Sequence, residues 1–321
     1  MEMPNANALD PKEAAANDVL TLTGSGLSNI QSIVFDKGMV PAAFNPNFNT
    51  DKAVIFRVPD TAYGGPQNII FTKTNGQTFS VGFSVIALAT ISDVSNYNFT
   101  SGGNVTITGN NLDDVSKVVL TGTQTEATIV SKTKKELVVS FPQTDMSRAT
   151  LDITNASGTV TTTQEFVNMD KALVIFADDY MNGFQNASWG PAAVSTTVAK
   201  SGTSSFAATY NKGNWSADGF ANWYPGLDYA ADYKFLTFWV KGGSIDYTLY
   251  VTGDQRAGGY GNADQSAPVI VPANVWTYFK IPLSTLDLWN KGSNFKQLGF
   301  WIKGPDAQDE TFYFDDVMLV K

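Results

Sequence analysis

The chain of 321 residues contains no cysteine and no histidine. Without cysteine it has no disulfide, no thiol nucleophile and no thiolate metal site. Without histidine it has no Ser-His-Asp triad and lacks the commonest ligand of transition metals. Charge is also scarce, with 30 acidic and 21 basic side chains and a net charge of −9. No basic cluster is present, which argues against nucleic acid and against anionic membrane surfaces as partners.

Long apolar runs are missing as well, so the sequence predicts no membrane-spanning helix. The first residues are polar and contain no export signal, and residues 1–16 are interpreted as a disordered lead-in. Threonine, asparagine, serine and glycine are abundant instead. This composition favours β-strands joined by turns, and the length favours two or three domains.

The first half contains an internal repeat. The segment VLTLTGSGL at 19–27 matches NVTITGNNL at 104–112, with Thr23 and Thr108 85 residues apart. A second pair follows in the same order, KAVIFRVPDT at 52–61 and KELVVSFPQT at 135–144. Apolar residues alternate with threonine in the first pair, which is typical of a half-buried strand. Repeats of about 80 residues predict one β-sandwich each, over residues 17–87 and 88–168.

The segment Gly103–Leu112 reads GNVTITGNNL. Its spacing of glycine and apolar residues resembles the IPT/TIG family of immunoglobulin-like (Ig-like) domains. The first repeat has only the later part of this signature, from Val19, so its opening strand is not identified. The resemblance implies two tandem Ig-like β-sandwiches. It implies no particular activity, because a fold alone does not determine function.

The composition changes at about residue 169, because all seven tryptophans lie at or beyond Trp189. Residues 169–321 contain many short apolar segments separated by glycine, proline, asparagine and aspartate, which predicts strands joined by turns. Such a density of strands is typical of a jelly-roll (galactose-binding-like) β-sandwich. The predicted fold is therefore all-β, with two tandem Ig-like sandwiches followed by a jelly-roll domain.

The aromatic residues of this last domain favour sugar binding. Pyranose rings stack on aromatic side chains, and their hydroxyls need planar polar partners at the edges. Trp301 alternates with the apolar residues of its strand and is predicted to lie on the face opposite the core. Gly299 beside it predicts a flat platform with open approach. Trp276 is predicted to be structural, and Trp239 is either a binding residue or a cover for the sheet. The candidate sugar contacts are Trp301, Trp215, Trp289, Trp223, Trp189, Tyr260, Arg256, Gln255 and Asn214.

Catalytic residues are not evident. Most glycosidases need two carboxyl groups that flank the scissile bond. The tight acidic pairs of the last domain are Asp178 with Asp179 and Asp315 with Asp316. Neighbours on a strand point to opposite faces, so neither pair converges on a substrate. The chain is predicted to be non-catalytic, and an atypical glycoside hydrolase is the third-ranked alternative.

Five segments of the last domain, in order, resemble the calcium-bearing jelly-roll carbohydrate-binding modules. These are IFADDY at 175–180, SGTSSF at 201–206, FLTFWVKGG at 235–243, VWTYFKIPLS at 275–284 and FYFDDVMLV at 312–320. The resemblance implies a structural Ca²⁺ ion held by Asp178 or Asp179, by Asp315 and by carbonyl groups of Ser201–Ser204. The alternative is that these aspartates belong to an ordinary acidic turn and strand end.

The order of domains resembles the surface glycan-binding lipoproteins of Bacteroidetes polysaccharide-utilisation systems. This resemblance implies non-catalytic binding of a neutral polysaccharide or oligosaccharide, with β-glucan favoured, for delivery to the uptake machinery. It also implies a location on the outer membrane facing the exterior, held by an N-terminal lipid anchor, with an outer-membrane transporter complex as a further partner. The main alternative is an adhesin or scaffold protein whose Ig-like domains bind another protein.

Overall fold

The computed structural model describes residues 3–290 and 292–321, and strands dominate this part of the chain. The predicted all-β class is confirmed. Two short 3₁₀ helices, Met169–Lys171 and Leu283–Thr285, are the helical elements of the described residues. None of the helices described is long and apolar enough to span a bilayer. The chain divides into two compact units.

Unit 1 contains the described residues up to Tyr97, together with Ser101–Thr144 and Ala149–Glu165. Its first nine strands are β1 (Asn5–Ala6), β2 (Glu13–Ala15), β3 (Val19–Ser25), β4 (Ile30–Phe35), β5 (Val40–Ala42), β6 (Phe44–Asn49), β7 (Ala53–Arg57), β8 (Gly65–Lys73) and β9 (Thr78–Ile86). They form two sheets, in the orders β1-β3-β7-β6 and β2-β9-β8-β4-β5. Alternate apolar residues such as Leu22 and Phe71 form the core of this Ig-like sandwich.

The following strands are β10 (Thr90–Val94), β11 (Asn98–Phe99), β12 (Asn104–Asn110), β13 (Lys117–Leu120), β14 (Thr128–Lys132), β15 (Glu136–Ser140), β16 (Arg148–Ala149), β17 (Leu151–Asn155), β18 (Gly158–Thr161) and β19 (Phe166–Asn168). Sheets in the orders β10-β12-β15-β14 and β13-β17-β18 form the second Ig-like sandwich. Val105 and Ile107 are buried, as the alternation in the repeat predicts. Strands β11 and β19, which pair in parallel, belong to unit 2.

The N-terminal segment differs from the disordered lead-in predicted over residues 1–16. Within the described residues, β1 pairs with β3, β2 pairs with β9, and Leu9 is buried. Met1 and Glu2 lie outside the described residues. Strand β1 stands beside β3 as β10 stands beside β12, so it is the opening strand that the repeat left unidentified. Pairing satisfies the backbone groups along the edge of β3, which favours order over disorder.

The glycine of the repeated Thr-Gly pair has the same role in both sandwiches. Gly24 is paired with Ala6 of β1, and Gly109 is paired with Ile91 of β10. A Cβ atom on Gly24 would overlap a carbonyl oxygen of β1, and one on Gly109 would overlap a carbonyl oxygen of β10. The close approach of the opening strand therefore requires glycine at both positions.

Unit 2 contains Asn98–Thr100, Asp145–Arg148 and Phe166–Lys321. Its further strands are β20 (Leu173–Phe176), β21 (Gln185–Asn186), β22 (Ala192–Ser195), β23 (Ser205–Tyr210), β24 (Trp215–Ala221), β25 (Leu227–Asp228), β26 (Phe235–Lys241), β27 (Tyr247–Gly253), β28 (Pro268–Val271), β29 (Trp276–Pro282), β30 (Asn294–Phe295), β31 (Gln297–Lys303) and β32 (Glu310–Val320). The division of the chain into domains after residues 16, 87 and 168 stays a prediction.

Two sheets of unit 2 form a jelly-roll sandwich. One has the order β22-β23-β32-β26-β29, with β20 also paired to β32, and the other has the order β21-β24-β31-β27-β28. We call the second one the β24 sheet. Phe206, Phe220 and Phe300 lie in the buried core between them. A small sheet of β25 and β30 lies outside this pair.

Candidate functional site

The outer face of the β24 sheet, opposite the core, carries the aromatic residues of interest. Strands β24 and β31 pair so that Trp215 is opposite Lys303, Ala217 is opposite Trp301 and Gly219 is opposite Gly299. The alternate residues Leu298, Phe300 and Ile302 belong to the core. Because side chains alternate along a strand, Trp301 and Trp215 point to the outer face.

Five aromatic residues form a continuous array on this face, which we call the outer-face cluster: Trp189, Trp215, Tyr250, Tyr260 and Trp301. The ring of Trp301 stacks on Tyr250, with centroids 4.6 Å apart and planes inclined by 24°. Trp215 meets Trp301 edge-on at 5.9 Å and Trp189 at 6.4 Å. Trp189 in turn meets Tyr260 at 5.9 Å. Tyr250 is the one member that was not predicted from the sequence, although its place between the core residues Leu249 and Val251 indicates an outward side chain.

Exposure divides the cluster into two parts. Trp189 is 58% exposed and Trp215 is 48% exposed, whereas Trp301 is only 1% exposed. Trp301 is therefore not the open platform that the sequence predicted, although it lies on the predicted face of the sheet, opposite the core. The loop that follows β27 covers this residue, and the indole Nε1 donates a hydrogen bond of 2.9 Å to the carbonyl oxygen of Asp264.

Gly299, which suggested open access beside Trp301, instead makes room for Tyr260. A Cβ atom at Gly299 would lie 2.7 Å from the Tyr260 hydroxyl. This hydroxyl is buried and has no hydrogen-bond partner among the described residues. Burial raises the pKa of Tyr260, and the nearby Asp218 adds to the rise. Tyr260 is thus a half-buried support for Trp189, and its hydroxyl is turned away from solvent.

Arg256 was predicted to contact sugar but is only 3% exposed. Its Nη2 lies 3.1 Å from Asp264 Oδ2 and 2.9 Å from Ser266 Oγ, and its Nη1 donates to the carbonyl oxygen of Leu286. The buried guanidinium is bonded within the protein because the loop folds back on itself, so Arg256 stabilises the loop instead of facing a sugar as predicted. Burial raises the pKa of Asp264, but hydrogen bonds from Ser266 and Arg256 outweigh it, so the net pKa is lowered. Gln255 is half-buried and donates to Asp254 Oδ2.

The backbone around Trp189 is fixed to strand β24. Its amide donates to the carbonyl oxygen of Ala217, and the amide of Gly190 donates to Asp218 Oδ1 at 2.9 Å. Asp218 is fully buried, and its Oδ2 has no partner among the described residues. Burial raises its pKa to about 6, and the Gly190 hydrogen bond opposes that rise. These contacts hold Trp189 beside Trp215, and Asn214 is exposed next to Trp215.

The remaining candidates lie elsewhere. Trp223 is 47% exposed and follows the end of β24 that is opposite Trp215. Trp289 is half-buried, and its Nε1 donates to the carbonyl oxygen of Leu227 at 2.9 Å. It lines a pocket that contains no member of the outer-face cluster. Trp239, left open by the sequence, is buried against Tyr278.

The aspartates expected to bind calcium hold the loop between β22 and β23. Asp178 Oδ1 accepts hydrogen bonds from the amides of Thr203 and Ser204, and Asp315 Oδ2 accepts them from Lys200 and Ser201. Asp179 Oδ1 accepts from the amide of Tyr180. Burial and the neighbouring Asp316 raise the pKa of Asp315 to about 7, and the amides oppose that rise.

The hydrogen bonds of these aspartates differ from the contacts that the predicted calcium ion implies. The prediction required carbonyl oxygens from Ser201–Ser204, whereas the carboxylates receive N–H groups from this loop. No group of three or more potential metal-ligating side chains converges anywhere in the described part of the chain. Hard cations such as Ca²⁺ need several oxygen ligands together. Calcium binding stays a prediction from the resemblance, and the geometry favours a loop clamped by hydrogen bonds.

Comparison with known proteins relates the chain to solved structures. No protein-family profile and no curated protein matches it. It is similar in structure to the surface glycan-binding protein PbSGBP-B from Prevotella bryantii, with 17% identity, a TM-score of 0.52 and coverage of 100% of this chain and 99% of that one. It is also similar to SGBP-B from a complex xyloglucan utilization locus in Bacteroides uniformis, with 18% identity, a TM-score of 0.44 and full coverage of both chains (100% each).

A third similar structure is SGBP-B of the Bacteroides ovatus mixed-linkage glucan utilization locus, in complex with a mixed-linkage heptasaccharide. It is 14% identical, with a TM-score of 0.35, and the match covers 96% of this chain and 72% of that one. These proteins are of the class that the sequence resembles. The likeness to the Prevotella bryantii protein is one of fold, extending over the whole chain.

Proposed function

We propose that the chain is a non-catalytic glycan-binding protein that acts at the cell surface. The observation that carries this proposal is the pair of half-exposed tryptophans, Trp189 and Trp215, fixed side by side on the outer face of the β24 sheet. Large exposed aromatic residues are costly in water unless a partner covers them. Their rings suit the flat C–H faces of pyranose rings, and the exposed Asn214 and Lys303 beside them can bond to hydroxyls.

The proposed ligand is a neutral polysaccharide, with β-glucan favoured. The substituents of β-linked glucose are equatorial, so both faces of each ring are flat enough to stack on indole. The net charge of −9 disfavours polyanionic glycans through repulsion. The whole-chain likeness in fold to a surface glycan-binding protein from Prevotella bryantii supports a glycan as the ligand.

A binding screen on a panel of neutral and acidic polysaccharides tests this proposal. Native affinity gels that contain each polysaccharide should retard the chain on at least one neutral β-glucan and not on acidic glycans. Retardation by acidic polysaccharides alone would contradict the choice of ligand. No retardation by any member would contradict the proposed function.

The location and biological role are proposed from the same resemblance. The protein would sit on the outer membrane through an N-terminal lipid anchor and deliver captured glycan to a transporter complex. As a binding protein it would release no reducing sugar from a glycan that it retains. Release of reducing ends that depends on this chain would instead support the atypical hydrolase.

An apolar groove in unit 1 favours a second candidate function, binding to another protein. The groove has a volume of about 400 Å³ and includes Val19, Phe44, Phe48 and Ile55. Phe48 is 55% exposed and Ile55 is 37% exposed. An adhesin or scaffold would use such a surface without glycan. A Phe48→Ser variant separates the two functions. Loss of binding to a partner protein, with glycan retention unchanged, would assign the groove to protein binding.

A further inference from the structure

A second concave surface lies apart from the outer-face cluster in unit 2. It is a pocket of about 890 Å³ that includes Tyr229, Tyr233, Phe235, Asp287, Trp289 and Asn290. Sites for small ligands have volumes of about 300–1,000 Å³. None of the five residues of the outer-face cluster lines it. The pocket can therefore act independently of that cluster.

Two aromatic side chains form a corner of this pocket. Tyr229 meets Trp289 edge-on, with ring centroids 5.5 Å apart and planes inclined by 79°. Trp289 is braced from another side by the buried Phe295 at 5.0 Å. Its single polar atom is occupied by the hydrogen bond to Leu227. The indole therefore offers the pocket only apolar ring surface, while Tyr229 is 60% exposed.

Polar groups surround this aromatic corner. Asp287 and Asn290 lie exposed on the same loop as Trp289, and Ser284 and Ser293 add two exposed hydroxyls. Carboxylate, amide and hydroxyl groups together offer both donors and acceptors. An apolar wall with a polar rim suits a ligand that has apolar faces and hydroxylated edges, as a pyranose has.

Among the described residues that line the pocket, the cations Arg148 and Lys234 make contacts within the protein. Arg148 lies over the ring of Phe235 at 4.7 Å, and its Nε donates to the carbonyl oxygen of Lys321 at 3.1 Å. The Nζ of Lys234 donates to the carbonyl oxygen of Ala231 at 2.6 Å. The carboxylate of Asp287 offsets part of their positive charge. The two cations are thus tied to the protein, and the aromatic corner with its polar rim is the surface that suits a sugar ring.

We infer that this pocket is a second sugar-binding site, which takes an uncharged pyranose branch or chain end while the outer-face cluster holds the main chain of the glycan. The inference rests on the proposed function, because it assumes that the ligand of unit 2 is a glycan. Two sites on one unit engage one polymer together, which raises the apparent affinity for polysaccharide above that for a short oligosaccharide.

The test compares two exposed tyrosines. Tyr229→Ala removes the exposed wall of the pocket, and Tyr224→Ala is the matched control, because Tyr224 is 91% exposed and does not line the pocket. A third variant, Ser284→Trp, fills the pocket without removing a packed side chain. Isothermal titration of the full chain with cellohexaose, mannohexaose and a xylogluco-oligosaccharide gives affinity and stoichiometry, and thermal unfolding checks that each variant folds.

With a bound oligosaccharide, the wild type and Tyr224→Ala should bind two molecules per chain. Tyr229→Ala and Ser284→Trp should bind one, and their retention on the parent polysaccharide should weaken about tenfold through lost avidity. Wild-type stoichiometry and retention in both pocket variants would overturn the second site and leave the proposed function intact. Failure of the wild type to bind any polysaccharide would instead remove the proposed function, which the panel tests separately.

Discussion

Trp215 and Trp301 are neighbours on one face of a sheet, but their environments differ. Their ring centroids are 5.9 Å apart, yet Trp215 is 48% exposed and Trp301 is 1% exposed. At the scale of single residues, this contrast predicts that Trp215 contributes to ligand binding and Trp301 to the stability of the fold. An exposed ring contributes when a ligand covers it, whereas a buried ring contributes to folding in every state.

Replacing Trp215 with alanine should weaken glycan binding and leave folding intact. Loss of a stacking surface at the centre of a binding site costs about 2 kcal/mol, or roughly thirtyfold in Kd. Titration with the glycan identified by the panel measures the loss, and the melting temperature should stay within a degree or two of the wild type. Unchanged affinity in both Trp215→Ala and Trp189→Ala would place the site elsewhere.

Replacing Trp301 with alanine should have the opposite signature. The change leaves a cavity beneath the loop, and removes the hydrogen bond to Asp264. Loss of such a large buried side chain costs about 3–5 kcal/mol of unfolding free energy. Urea unfolding of Trp301→Ala and Trp215→Ala side by side measures the difference, and similar midpoints would mean that Trp301 is exposed as the sequence predicted.

Asp218 should make stability depend on pH. Its folded pKa of about 6 lies above the ordinary value of 3.8, so the folded state holds the proton more tightly than the unfolded state. The stability it contributes is present below the ordinary pKa and is lost as pH rises through about 6. Asp218→Asn should therefore melt at a higher temperature relative to the wild type at pH 7 than at pH 4. A difference between the two that does not vary with pH would contradict the burial of this charge.

At the scale of elements, the loop between β27 and β28 decides what the outer face can do. It covers Trp301, carries Tyr260 and is tied to the segment before Trp289 through Arg256 and Leu286. The sequence predicted sugar contacts at Gln255, Arg256 and Tyr260 of this loop, because polar and aromatic residues are typical of sugar-binding loops. It did not indicate that Arg256 turns inward, because its acceptors Asp264 and Ser266 come within reach only when the loop folds back, and Leu286 lies outside the loop.

Arg256→Met should loosen this loop. The change removes the hydrogen bonds from the guanidinium to Asp264, Ser266 and the Leu286 carbonyl, at a cost of about 1–3 kcal/mol. Chemical denaturation measures the loss, and hydrogen exchange should rise across residues 253–266. Lys303→Met, which changes an exposed cation on the same sheet face, is the control and should have little effect. Equal exchange in both variants would mean that Arg256 does not hold the loop.

At the scale of the whole molecule, the predicted all-β architecture is confirmed and the predicted calcium ion stays a prediction. Strands β20 and β32 adjoin at the two ends of the jelly-roll sequence. Asp178 and Asp315, near those strands, clamp one loop through its amides. The resemblance located the right residues for a brace, but the direction of the loop's peptide groups, which no side-chain pattern encodes, decides whether carbonyls or amides face them.

Calcium should therefore have little effect on unfolding. A ligand that binds only the folded state raises the melting temperature by mass action. Scanning calorimetry of the full chain with excess calcium and with a chelator should give melting temperatures that agree within error. A melting temperature that rises by several degrees with calcium but not with magnesium would support the predicted calcium ion.

The sequence by itself determined the all-β class, the repeated Ig-like sandwiches and the confinement of tryptophan to the jelly-roll part. It also determined which face of β31 Trp301 occupies, because strand alternation is local. The tertiary structure decided which tryptophans reach solvent. Coverage by the loop after β27, the pairing of β1 with β3 and the pocket at Trp289 all depend on contacts between distant segments. Those contacts form when distant segments of the backbone fold over a sheet face. The order of residues along one strand does not predict them.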